Sequence, residues 1–178
     1  MNNFEKEWWK KKYGEDVTTP EAQKKAQDKL FEMISMAEGT TFEKAKKYGF
    51  ENEYGITVDY GKWGKPSKPV EKMTYKDVLE LQDSMQARQK EAGRKVISSA
   101  YGKFQAMEAT LKEFMKDEGI RPDEYFGAEA QKRFAIWRMK RQGNFLEKFL
   151  GGKVSGIQAQ RGLAGIWMGI PDPDTGKS

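Results

Sequence analysis

Most of this chain places apolar residues at helical intervals, and one long stretch does not. Thr18, Thr19, Pro20 and Glu21 open the first helical pattern, with Thr18 and Glu21 at capping-box spacing and a proline where the first turn tolerates it. Ala22, Ala26, Leu30, Met33, Ile34 and Ala37 follow as an apolar stripe, which predicts a long helix that delivers Glu38 and stops at Gly39. Thr74 and Asp77 repeat the capping spacing, and Tyr75, Val78, Leu79, Leu81 and Met85 give the next helix its core face before it frays into Arg88 to Gly93. Met107, Leu111, Phe114 and Met115 predict a third helix, halted near Gly119. Residues 128–142, carrying Ala130, Phe134, Ala135, Trp137 and Met139, predict a buried one ended by Gly143. Shorter helices are expected around 144–150 and 154–168.

Between about Phe42 and Lys72 the helical period disappears. Tyr48, Gly49, Phe50, Tyr54, Gly55, Tyr60, Gly61, Trp63, Gly64, Pro66 and Pro69 mix aromatics with chain breakers, and Ile56 to Tyr60 alternates as a strand would. Loops and a small hairpin are expected here, framing a cleft with aromatic faces or covering an aromatic mini-core. Residues 1–19 stand apart, with Phe4, Trp8 and Trp9 among lysines and Gly14 breaking any helix. They read as a basic, aromatic extension that docks on the domain, a partner protein or a membrane surface. Residues 20–178 then form one mainly α (α+β) domain.

Composition narrows the chemistry. The chain has 178 residues with no cysteine and no histidine. Thiol nucleophiles, Ser-His-Asp triads and thiolate or imidazole zinc sites are therefore excluded. Acid-base work falls to Asp, Glu, Lys or Tyr, which favours carboxylate chemistry such as glycosidic cleavage, although a non-catalytic protein meets the same constraint. The net charge of +5 comes from interspersed signs, a solvated surface with a mild pull toward acidic polymers. No membrane span and no secretory signal peptide are visible.

Glu38 is the candidate catalytic residue. Leu30, Phe31 and Ile34 lie eight, seven and four positions before it, so the helical period puts its carboxylate on the core-facing side. Desolvation there would favour the protonated form, as a general acid near neutral pH requires. The alternative is a surface carboxylate beside a glycine cap. A second segment, Ser98 to Gln105, combines small residues and Gly102, which let backbone approach a ligand, with an amide at Gln105 that both donates and accepts. The phosphate-loop ending at Gly176-Lys177-Ser178 has Pro171 where its first glycine belongs, and Asp172 and Asp174 lack the other ligands of a calcium loop. Lys and Arg do not cluster on one predicted face, so no nucleic-acid site is expected in the domain, and only the basic N-terminal segment leaves that option open.

From about Leu30 onward the chain resembles the lambda-type phage endolysins and their virion-associated relatives, peptidoglycan lytic transglycosylases of the lysozyme-like superfamily. The resemblance is carried by Ala37-Glu38-Gly39-Thr40, by Val58-Asp59-Tyr60 with Gly64-Lys65-Pro66, and by Met73-Thr74 with Asp77-Val78-Leu79 and Leu81-Gln82. It continues through Ser99 to Gln105, Gln131 to Gly143, and Leu163-Ala164-Gly165-Ile166-Trp167 with Pro171. Lys103 and Phe104 depart from the family's arginine and tyrosine. The resemblance implies a helical domain with a small hairpin or loop subdomain lining a cleft. Glu38 would be general acid and base, Gln105 the substrate holder, and Tyr60 and Tyr101 cleft-wall residues. The partners implied are peptidoglycan glycan strands and, through residues 1–19, other virion proteins, with no cofactor and no metal. Action in the periplasm or cell wall, from a virion or the host cytoplasm, would follow, and the chain would be a domain or processed fragment of a larger protein. Asp59 is the alternative second carboxylate of a water-using muramidase, or an ordinary loop acid bonded to backbone. A lysozyme-like fold serving a structural or wall-binding role without turnover is the reading from another class.

Overall fold

The structure, a computed structural model, describes residues 19–141, 143, 147, 148 and 156–175. The expected N-terminal extension lies outside these residues, Thr19 excepted, as does most of the short helix expected around 144–150. The described chain is mainly helical: α1 Pro20–Ala37, α2 Phe42–Lys47, α3 Tyr75–Glu91, α4 Glu108–Glu118, α5 Ala128–Arg141 and α6 Gly156–Ala164. None of the described helices is long and apolar enough to cross a membrane. The chain divides into two compact units, one of residues up to Ala37 and from Ile136 onward, the other Glu38–Ala135.

In the first unit α1 is capped by Thr19, whose Oγ1 accepts from Ala22 N at 3.1 Å. The cap sits one residue later than the Thr18–Glu21 spacing implies, because Pro20 takes the first helical position, where its missing N–H costs nothing. Leu30, Phe31, Ile34 and Ser35 are buried, while Met33 is 42% exposed. At about 100° per residue Met33 falls outside the arc those four define, and Glu38 continues it. At the other end of this unit Leu163, Trp167 and Ile170 are buried. Arg161 reaches Asp174 through two bonds of 2.8 and 2.7 Å, so Asp174 serves an ion pair. Among the described residues no cluster of acidic side chains is arranged to hold a metal.

The second unit is built on α3. Thr74 and Asp77 form the expected capping box, with Thr74 Oγ1 accepting from Asp77 N and Asp77 accepting from Thr74 N. The Lys68 ammonium hydrogen-bonds the same carboxyl at 2.8 Å and, with Thr74, holds it down to about 2. Gly119, in the left-handed conformation, ends α4 as its position predicts. The core of this unit is aromatic: Tyr75 packs on Phe126 and Phe114 at ring distances of 4.8 and 6.4 Å, and Phe134 meets Phe114 edge-on at 5.5 Å.

The stretch expected to lose its helical period at Phe42 instead opens with α2, because Thr41 caps it. The expected strand at Ile56–Tyr60 is a 3-10 turn, Val58–Gly61, one of a series with Glu53–Gly55 and Val70–Lys72. Asp59 (φ 51°) and Tyr60 (φ 52°) are both left-handed, which interrupts any extended run. Sheet structure among the described residues is reduced to isolated bridges. Two of them place Tyr101 between Thr57 and Ala106.

Candidate active site

Each residue after α1 has a defined task. Glu38 is half-buried at the end of the helix. Gly39 adopts φ 67°, and a Cβ added to it would fall 2.6 Å from the Tyr60 hydroxyl, so both the turn and the tyrosine require glycine. Thr40 is buried, and its hydroxyl donates to Lys103 O at 2.6 Å. Thr41 caps α2 by accepting from Lys44 N at 3.3 Å. The chain leaving Glu38 is thus tied by Thr40 to the turn that carries Gln105, with one residue between Glu38 and Thr40 and one between Lys103 and Gln105.

That turn is a hairpin one rung long. Tyr101 N donates to Ala106 O at 3.1 Å and Ala106 N returns to Tyr101 O at 2.8 Å, leaving 102–105 as the loop. On its other side Gly102 N donates to Ile56 O at 2.7 Å and Val58 N to Ala100 O at 3.1 Å. So short a ladder cannot satisfy its own backbone. Buried glutamine side chains complete it. Gln82 Nε2 donates to Ser99 O and Ala106 O, both at 2.7 Å. Gln89 pairs with Ser98 through both backbone groups, at 2.7 and 3.0 Å. Gln131 Oε1 accepts from Lys103 N at 3.0 Å, while its Nε2 donates to Tyr54 O at 2.8 Å. Lys103 is itself buried, its ammonium 3.4 Å from Glu53 and 5.3 Å from the centre of the Tyr54 ring. A buried cation needs such partners.

The residues singled out from sequence separate here. Gln105 is half-buried and left-handed (φ 47°), with its amide nitrogen donating to Gly102 O at 2.8 Å. Its amide oxygen has no partner among the described residues. Tyr60 is half-buried, stacked on Tyr48 with ring centres 4.3 Å apart. The Lys44 ammonium lies 5.7 Å from the centre of its ring. Tyr101 departs from the cleft-wall expectation. It has no exposed surface, because both its backbone edges are paired and its ring turns toward Phe126, 6.2 Å away. Burial, aided by the charges of Glu51 and Glu71, pushes its phenol above the ordinary tyrosine range.

Asp59 is exposed, and its partners are side chains where backbone was expected. Its Oδ2 accepts from the Trp63 indole at 2.7 Å and pairs with Arg94. Asp59 and Tyr60 together hold two consecutive non-glycine residues in left-handed geometry, a strain on the order of 1–3 kcal/mol each. A groove of about 370 Å³ lies between Phe50, Lys65, Pro66, Lys68, Pro69 and Val70, and contains none of the predicted site residues. Its cations are already engaged, Lys65 with Tyr48 O and Lys68 with Asp77.

The glutamines and Arg94 are what sequence reasoning missed as parts of the site. A signal for two of the glutamines was present: Gln82 and Gln89 share the arc of Val78 and Met85 on α3, polar residues at positions where the period demands burial. Arg94 left no such mark, since its partner is 35 residues away. No family model matches the chain, and no curated protein or solved structure matches it.

Proposed function

We propose that this chain cleaves peptidoglycan glycan strands as a lysozyme-like lytic transglycosylase with Glu38 as its acid and base. One observation carries the reading: Thr40 bonds Lys103, joining the segment of a half-buried carboxylate to the turn of the amide that the family resemblance assigns to substrate holding. Half-burial suits a carboxylic acid that must hold a proton until it is transferred.

The Glu38 carboxyl gives its proton to the glycosidic oxygen as the bond from C1 of the muramic residue to that oxygen breaks. Its carboxylate then takes the proton of the same sugar's C6 hydroxyl, whose oxygen bonds C1. The product is a 1,6-anhydro ring, the acid is regenerated, and neither water nor a second carboxylate is consumed. Asp59 supports this course over the water-using one, because its carboxylate is already held by Trp63 and Arg94. Gln105, with an unengaged amide oxygen, is suited to bind an N–H or hydroxyl of the sugar.

Mass spectrometry of the soluble fragments released from purified peptidoglycan tests the reading. Fragments ending in 1,6-anhydromuramic acid, lost in Glu38→Gln, are expected. Reducing ends formed with water would replace it by the muramidase. A folded protein that releases nothing would leave a structural or wall-binding role.

A further inference from the structure

Glu38 lies next to a turn that the sequence does not favour. Asp59 tolerates left-handed backbone through its short side chain, but Tyr60 beside it has no such excuse, and a glycine at either position would relax the chain. Strain of this kind persists only where surrounding contacts impose it. Besides the Tyr48 stack on Tyr60 and the Thr57 hydroxyl donating to Gly64 O at 2.6 Å, they come from the C-terminal end of α3. Arg88 donates to Trp63 O at 2.6 Å. Arg94, anchored to the helix by its N–H on Gln89 O at 3.0 Å, pairs with Asp59, and its guanidinium lies 5.6 Å from the centre of the Trp63 ring. The Trp63 indole closes the loop on Asp59 at 2.7 Å.

The turn sets the position of one chemical group. The Tyr60 ring is occupied by its stack on Tyr48 and by the Lys44 ammonium, so what remains to offer is the hydroxyl. That hydroxyl stands against Gly39, the residue immediately after Glu38. We infer that Arg94 and Asp59 are positioning residues which, by clamping the left-handed turn through Trp63, hold the Tyr60 hydroxyl as a hydrogen-bonding contact for an amino-sugar beside the acid. The inference rests on Glu38 marking the cleavage point, and it gives Asp59 a role in place of second acid. Arg94 never touches substrate.

The experiment compares wild type with Tyr60→Phe, Arg94→Gln, Arg94→Lys, Asp59→Asn and the double variant Tyr60→Phe/Arg94→Gln. Release of soluble fragments is measured against peptidoglycan concentration, with thermal unfolding alongside. Binding to insoluble peptidoglycan by co-sedimentation is measured separately in a Glu38→Gln background. Tyr60→Phe is expected to raise KM and weaken binding about tenfold, with kcat and melting temperature near wild type, as loss of a contact made equally in ground and transition states would do. Arg94→Gln and Asp59→Asn should raise KM in the same sense, Arg94→Lys should recover part of the loss, and the double variant should fall no further than Tyr60→Phe. Full additivity of the double variant, or wild-type KM in Arg94→Gln, overturns the clamp. The two claims fail separately. An active enzyme indifferent to Arg94→Gln loses the clamp and keeps the acid. A protein without turnover whose binding still drops in Tyr60→Phe and in Arg94→Gln keeps the clamp and loses the acid. A protein that neither binds nor cleaves loses both.

Discussion

Two turns approach the chain around Glu38, and both contain left-handed residues, yet they are held by opposite means. The turn at Asp59–Tyr60 is fixed near the surface by an ion pair and an indole, with the Arg94 and Asp59 side chains 34% and 39% exposed. The turn at 102–105 and the segments flanking it are held chiefly by neutral amides from Gln82, Gln89 and Gln131, all essentially without exposed surface, beside the buried Lys103 ammonium and its partner Glu53. Water competes for the first set of contacts and salt screens it, so each contact contributes little to stability and can be adjusted. The second set is better shielded: the bonds of Gln82 and the bond of Gln131 to Lys103 are buried, those to Ser98 and Tyr54 partly so. Removing one amide there strands buried backbone groups, and the cost is the desolvation of each. Stability and adjustability are thus divided between the two turns.

Replacing Gln131 should break this division most severely. Gln131→Ala leaves Lys103 N and Tyr54 O without their side-chain partner, and denaturant unfolding is expected to show a loss of about 3 kcal/mol. Gly102→Ala should follow at about 2 kcal/mol. The added methyl would meet the Gln131 amide, and φ 81° is unfavourable for alanine. A loss below about 0.5 kcal/mol in either would show that the turn does not depend on these amides.

Acid should discriminate between contacts of the two kinds. The Asp77 carboxyl is held down to about 2, first by the Lys68 ammonium and then by the Thr74 backbone. Its folded pKa lies below the unfolded value of about 3.9, so its stabilising contribution is complete above pH of about 4 and is lost as pH falls through about 2. Melting temperature is expected to drop over that window in wild type, and by less in Asp77→Asn. The glutamine contacts, carrying no charge, contribute nothing to the slope.

The smallest expected effect on stability belongs to Arg94. Arg94→Gln should change unfolding by less than about 1 kcal/mol, as exposed pairs do. Raising salt from about 0.05 to 0.5 M should move wild-type KM toward the variant's and leave the variant's nearly fixed. A salt response equal in both proteins would remove the ion pair from the account.

Helix boundaries were legible because their causes are local. Thr74 with Asp77, Gly119, and the stripe of Phe134, Ala135 and Met139 are each read within a few residues, and the structure has them as caps and core. Even the shift of the first cap to Thr19 follows from a local rule, the place proline prefers. The alternation at Ile56–Tyr60 failed because a strand is made by its neighbours. Its partner among the described residues, 100–102, pairs only as far as Val58, after which Asp59 turns left-handed and joins Arg94. The resemblance makes Tyr101 a cleft-wall residue, and nothing within the run from Ser99 to Gln105 discloses that both its edges are paired.

By itself the sequence determined the long helices, though not the short α2; it also determined the glutamate at the end of the first, the glycine after it, and a chemistry limited to carboxylate, amine, phenol and amide for want of cysteine and histidine. Only tertiary structure decided which of those groups meet. Thr40 and Lys103 are 63 residues apart, Lys103 and Gln131 28, and Asp59 and Arg94 35. A helix cap costs little chain entropy and is written within one turn of sequence, whereas these contacts form only when a packed core has already closed the loops between them.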